Sequence, residues 1–270
     1  MDRQLPVNNV KARLLNDDIV LMLSVRMVET VEIVTICQAS GHCSFFIDLQ
    51  HSSISPSVAA RLCMAANLAG ITPFVRVPSL DAGLCTQMLD AGALGIIFPD
   101  ISSVAEAKRA VEMTRFPPLG ARSPASRGPA TMFGRIGEAE ARQHLESETM
   151  VLVMLESESA ISAAQDIAVV DGVDALFIGM NDLTFSMGVF GQYTDERVRR
   201  AVRTAQAAAN ACGKFLLVGG IRDPDISAKF IDDGAARFFV TGTDSALLLG
   251  KAEEQASKYL SRFEDRSADQ

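Results

Sequence analysis

The chain has 270 residues, 48% hydrophobic and 21% charged, which suits one large α/β domain or two small ones. A formal net charge of −8 argues against nucleic acid or an anionic membrane as the main partner. The five cysteines are scattered without a CxxC pair, the N-terminus lacks a signal-peptide apolar core, and no apolar run reaches membrane-spanning length. The expectation is a cytoplasmic protein with reduced thiols.

β-forming runs recur along the chain. They are IVLMLSV (19–25), FFIDL (45–49), TPFVRV (72–77), LGIIFP (94–99), MVLVMLE (150–156), DALFIG (174–179), KFLLVG (214–219) and RFFVTG (237–242). Helical stretches follow the second, third and fourth runs and precede the seventh, and a long helix follows Asp244 into a polar tail, EDRSADQ, expected to fray. Asp81, Asp195 and Asp223 each open a predicted helix and read as N-caps. Eight β-α alternations predict an α/β fold, a (β/α)8 TIM barrel, rather than an open doubly wound sheet, which loses its best signature because no GxGxxG or GxxxxGK[ST] follows any strand. The Pro-, Gly- and Ser-rich tract 117–134 is the longest loop, a lid or an oligomer contact expected to help shape the functional pocket.

In such a barrel the chemistry lies at the C-terminal strand ends. On strand alternation Asp48 shares the inward face with Phe46, Arg76 with Thr72 and Phe74, and Glu156 with Leu152 and Met154. Asp182 follows the sixth strand. An unpaired charge buried there costs several kcal/mol, so Asp48 must meet a cation, a histidine or water. Taken alone, Asp182 reads equally well as a helix cap, Glu156 as the start of a solvated helix and His51 as a loop residue. Their joint occurrence at four strand ends favours a site. His42 and His144 lack that context and read as surface groups.

Absences narrow the chemistry. None of the six lysines lies at a strand C-terminal end, which excludes a Schiff-base aldolase. Three dispersed histidines make no zinc centre, and no GxSxG or Cys–His arrangement supports acyl transfer. Glu156 and Asp182 suit a hard divalent cation that keeps several waters and polarises a carbonyl, with Arg76 adding positive charge to the same oxygen. VGGIRD and VTGTDS, after the seventh and eighth strands, sit where many barrels bind phosphate.

With these residues in place the chain resembles the HpcH/HpaI family of metal-dependent (class II) pyruvate aldolases over about residues 15–255. The pieces that carry the resemblance are IDLQH, PFVRVP, LDAGALGIIFPDISSVAEAKRAVEMTRFPPLGAR, VMLESESAI, GVDALFIGMNDLTFSMG and FVTGTDSALL. The resemblance implies a single barrel domain over 1–270, with an N-terminal helix and a C-terminal helix that packs on a neighbouring subunit of a homo-oligomer, a trimer or hexamer. It implies that Glu156 and Asp182 hold Mg²⁺, Mn²⁺ or Co²⁺, which chelates the carboxylate and keto oxygen of pyruvate. Arg76 then steadies the enolate oxygen, and His51, oriented by Asp48, moves the proton of the aldol hydroxyl. Backbone amides of Gly179, Met180, Asn181 and Asp182 hold the pyruvate carboxylate.

The implied activity is cleavage or formation of 4-hydroxy-2-keto acids through a metal-bound pyruvate enolate, with an aldehyde or other acceptor as second partner. Alternatives on the same scaffold are oxaloacetate decarboxylation, citrate-forming condensation with acetyl-CoA, and a protein that binds metal and keto acid without turnover. Two positions depart from the family pattern. Gln50 stands where an acidic residue is usual, and Met154 where a glutamine is common, so the acceptor side is where this chain is expected to differ.

Overall fold

Alternation within each apolar run decides which side chains fill the barrel and which meet the helices. In the computed structural model, which describes residues 5–124 and 127–263, the strands are β1 (Val20–Val25), β2 (Ser44–Asp48), β3 (Thr72–Arg76), β4 (Gly95–Phe98), β5 (Met150–Leu155), β6 (Ala175–Gly179), β7 (Phe215–Gly219) and β8 (Phe238–Thr243). Each begins and ends within one residue of its expected bounds. The expected frayed tail 264–270 lies outside the described residues, as do Ala125 and Ser126 of the long loop.

All pairings are parallel and the strand order runs β7-β6-β5-β4-β3-β2-β1-β8. β7 and β8 lie side by side at the seam, joined at their N-terminal ends by Ala236 N–H donating to Leu216 O at 2.9 Å. The result is a nearly closed (β/α)8 barrel. Met22, Phe46, Phe74, Ile97, Leu152, Met154, Phe177 and Leu217 fill the interior, while Leu23, Phe45, Ile47, Val75, Ile96, Val153, Leu176 and Ile178 pack outward against the helices. Gly95 is required by this filling. A Cβ there would sit 2.1 Å from the Phe74 ring.

The N-terminal helix α1 (Asn9–Leu15) closes the lower end, where Val10 and Leu14 join the interior cluster. Asn8 both caps this helix and donates through Nδ2 to Leu94 O at 2.9 Å and Glu148 O at 2.8 Å, which fixes the plug to two barrel segments.

Between the strands lie α2 (Glu32–Ala39), α3 (Pro56–Ala69), α4 (Ala82–Asp90), α5 (Val104–Thr114), α6 (Glu138–Glu148), α7 (Glu158–Ser162), α8 (Ala164–Ala168), α9 (Met180–Ser186), α10 (Glu196–Ala211) and α11 (Pro224–Asp232). α12 (Asp244–Phe263) ends the described chain. Asp81, Asp195 and Asp223 cap α4, α10 and α11 through side-chain bonds to backbone N–H groups, as their positions before apolar-periodic segments predict. No described helix is long and apolar enough to cross a membrane.

Three expectations need correction. Within one chain, none of the described residues of 117–134 lines the rim pocket, because the tract joins α5 to α6 at the opposite end of the barrel. There Arg122 is buried, donating to Asp90 Oδ1 at 3.0 Å and lying 4.7 Å over the Phe116 ring. His42 and His144 are half-buried rather than surface groups. His42 Nε2 lies 2.7 Å from Thr241 Oγ1, and His144 Nε2 donates to Pro6 O at 2.7 Å.

Replacing Gly95 with Ala is expected to destabilise the barrel by about 1–3 kcal/mol, since the fully buried Phe74 ring must shift to admit the methyl group. Urea denaturation of both proteins measures this, and an unchanged midpoint would show that the ring can move.

Candidate active site

β2 and β3 pair in register with Asp48 opposite Arg76, so both side chains point into the barrel mouth at one level. Arg76 Nε donates to Asp48 Oδ1 at 3.0 Å and Nη2 to Oδ2 at 2.6 Å, a two-pronged pair buried on both sides. The Arg76 guanidinium also lies 5.6 Å over the Phe46 ring, with Nη1 3.9 Å from Met154 Sδ. Backbone N–H groups of Gln50 and His51 donate to Asp48 Oδ1 at 3.1 and 3.2 Å. Asp48 therefore holds His51 through its backbone, and no hydrogen bond among the described residues engages the His51 ring. Burial opposes ionisation of Asp48, yet the Arg76 hydrogen bonds and the charges of Arg76 and Arg26 hold its carboxyl below the ordinary value.

The opposite side of the mouth is anionic. Glu156 follows β5, is 7% exposed, and accepts Asp100 N–H at 2.8 Å through Oε2. Burial pushes its carboxyl up to about 7, helped by the charges of Asp100 and Asp182 and opposed by the Asp100 N–H bond and Arg76. Gly179 makes room for it: a Cβ there would lie 2.6 Å from Glu156 Oε1. Asp182 stands exposed in the first turn of α9, with Gly179 rather than Asp182 at the cap position. Asn181 Oδ1 accepts the Tyr193 hydroxyl at 2.7 Å.

A pocket of about 140 Å³ occupies the rim. Of the expected site residues, His51, Arg76, Met154, Gly179, Met180, Asn181 and Asp182 line it. Asp48 and Glu156 stand behind that lining and set its charge. Gln50 does not line it, and its buried Oε1 has no hydrogen-bond partner among the described residues. Sequence reasoning passed over Ser24 and Arg26, which also line it. Their signal was the inward register of Val20, Met22, Ser24 and Arg26. The glycine-rich ends of β7 and β8 border the same pocket through Gly219, Gly220, Arg222, Gly242 and Thr243.

Among the described residues no group of three or more His, Cys, Asp or Glu is arranged to hold a metal. A Mg²⁺-type ion needs only one or two carboxylates, with water and substrate oxygens completing its shell. Glu156 beside Asp182 is an anionic pair whose mutual repulsion and burial a cation relieves, so the residues present fit such an ion and do not fit zinc. All five cysteines are free, and burial pushes Cys37, Cys63 and Cys85 up to about 12, which leaves them inert.

Known proteins resemble the chain in sequence and in fold. The chain is 35% identical over 254 residues to the 4-hydroxy-4-methyl-2-oxoglutarate aldolase tasA of Hapsidospora irregularis, covering 92% of this chain and 93% of that one. It is 34% identical to a hydroxypyruvate/pyruvate aldolase of Paraburkholderia phytofirmans, over 80% of this chain and 84% of the other. In three dimensions it matches the HpcH/HpaI aldolase of Desulfitobacterium hafniense with a TM-score of 0.87, at 25% identity over 93% and 96% of the two chains. The citrate synthase SbnG matches with a TM-score of 0.79, at 29% identity over 99% and 100%. The sequence profile of the HpcH/HpaI aldolase/citrate lyase family spans residues 27–250, and the chain belongs to that family, an enzyme of the aldolase and lyase type.

Proposed function

We propose that this chain is a divalent-metal-dependent carbon–carbon lyase that cleaves or forms 4-hydroxy-2-keto acids through a pyruvate enolate. The observation that carries the reading is one pocket with the buried Glu156 and the exposed Asp182 on one wall and the committed Asp48–Arg76 fork on another. Relatives named as aldolases of 4-hydroxy-4-methyl-2-oxoglutarate and of hydroxypyruvate or pyruvate support the substrate class. The likeness to a citrate synthase supports a second reading, condensation of the same enolate with another acceptor.

Glu156 and Asp182 would hold the ion, Mg²⁺, Mn²⁺ or Co²⁺, and its charge would acidify the methyl protons of a bound 2-keto acid. Arg76 spends Nε and Nη2 on Asp48, which leaves Nη1 to donate to the oxygen that gains charge as the enolate forms. His51, with an exposed ring, takes the proton of the C4 hydroxyl directly or through water. As that proton leaves, the C3–C4 bond breaks, its electron pair enters the enolate, the carbonyl acceptor departs, and protonation of the enolate gives pyruvate. Gly179, Met180 and Asn181 border the wall where the substrate carboxylate would lie.

The reading includes a homo-oligomer, a trimer or hexamer, with α12 as contact. Leu247, Leu248, Leu249, Tyr259, Leu260 and Phe263 are all exposed on it, a cost that burial on another subunit removes. Five unpaired cysteines accord with a cytoplasmic setting.

Chelation is expected to abolish activity and Mg²⁺ or Mn²⁺ to restore it, while full activity in verified metal-free protein would refute the metal. Arg76→Lys should lower kcat on the order of 10²-fold with little change in KM, because a lysine cannot hold the fork and still present a donor. His51→Ala should cripple aldol cleavage while retaining much oxaloacetate decarboxylation, which has no hydroxyl proton to move, and Glu156→Ala should remove both. Equal loss of both activities in His51→Ala would place His51 on the enolate itself.

Stability gives a readout independent of turnover. The folded state holds a proton on Glu156 between pH about 4.5 and about 7 that the unfolded state releases. That contribution is present below pH 4.5 and disappears as pH rises through 7. In chelated protein, Glu156→Gln should therefore raise Tm at pH 8 and leave it unchanged at pH 4.5, with Mg²⁺ narrowing the gap at pH 8. A parent Tm indifferent to pH over this range would show Glu156 already solvated.

A further inference from the structure

The pocket has a positive wall that the proposed enolate chemistry leaves unused. β1 lies four strands from β5, across the barrel from Glu156. Arg26 leaves the end of β1 on the inward register of Met22 and Ser24 and lines the pocket with its side chain 34% exposed. Its Nε stands 2.7 Å from Asp48 Oδ2, an ion pair without hydrogen-bond geometry, beside the oxygens that Arg76 forks. Among the described residues no hydrogen bond uses the two terminal NH₂ groups of Arg26. One carboxylate thus serves two guanidinium groups, and the wall keeps a net positive charge.

Two further features face the same space. Ser24 Oγ is buried, lines the pocket and has no hydrogen-bond partner among the described residues. Arg222, beyond β7, is exposed and also lines it. The position of Arg26 is built rather than incidental. Asp244, buried at the start of α12, accepts the backbone N–H groups of Arg26, Met27 and Val28 at 3.0, 2.9 and 2.7 Å.

We propose that Arg26, with Arg222 and the Ser24 hydroxyl, binds a second carboxylate at the far end of the substrate, so that the enzyme selects keto acids with an anionic tail over those with a neutral one. A guanidinium with free NH₂ groups beside an unpartnered hydroxyl is the donor set a carboxylate takes, and the anionic wall at Glu156 repels that tail toward it. The proposal rests on the keto-acid reading above and adds the specificity of its distal end.

The test compares 2-oxoglutarate with 2-oxopentanoate, five-carbon keto acids that differ only in the terminal carboxylate, by calorimetry on the full chain with Mg²⁺. The parent is expected to bind 2-oxoglutarate at least about tenfold more tightly, and Arg26→Gln should reduce that ratio to near one. Arg222→Gln should reduce it in part and serves as the second variant if Arg26→Gln fails to fold. Equal binding of both ligands by the parent overturns the distal site and leaves the keto-acid reading standing. Binding of neither ligand overturns the keto-acid reading itself. An equal loss for both ligands in Arg26→Gln, with the ratio preserved, would assign Arg26 to holding Asp48 alone.

Discussion

The Asp48–Arg76 fork is the constraint around which the mouth of the barrel is arranged. Asp48 has no exposed surface, and the parallel register of β2 and β3 sets Arg76 directly opposite it, with Arg26 on its other side beyond β1. Removing either partner strands a buried charge, a loss of about 3–5 kcal/mol. Two nitrogens of Arg76 are consumed in satisfying Asp48, which fixes the plane of the guanidinium over Phe46 and leaves one nitrogen directed toward the pocket. The fork thereby fixes how much of the Arg76 guanidinium remains for chemistry, one donor, while Arg26 shares the same carboxylate through its Nε.

The opposite wall is made by the reverse device. Among the described residues Glu156 is buried without an ion-pair partner, and its carboxylate accepts the Asp100 amide, where the backbone takes φ 56, a conformation that aspartate tolerates. Gly179 allows the carboxylate to sit flush against β6. A pocket with an unsatisfied anion on one side and an under-neutralised cation on the other is polarised in advance of any ligand. Such preorganisation is where the electrostatic part of catalysis resides.

How far the sequence disclosed this depends on the range of each interaction. Strand periodicity located all eight strands, and with them the inward register of Asp48 and Arg76, because alternation is a local property. Helix caps at Asp81, Asp195 and Asp223 were legible for the same reason. Arg26 was not, since it lies one residue beyond an apolar run, and only the fold brings it to Asp48. The half-burial of His42 and His144 likewise depends on Thr241 and Pro6, far away in the chain. The short helices α7 and α8 escaped because five residues carry too little periodicity to read.

Asp244 joins two features that otherwise look separate. It begins α12, whose apolar residues face outward, and its carboxylate fastens the turn that carries Arg26. Three backbone N–H bonds converging on one buried carboxylate make a stiff connection, since bonds to a charged acceptor are stronger than neutral ones. The root of the protruding helix and the positive wall of the pocket are therefore one mechanical unit. On the proposed assembly, a subunit that seats α12 would restrain Asp244, and through it the Arg26 guanidinium, so assembly and the proposed recognition of the distal group would act on the same few atoms.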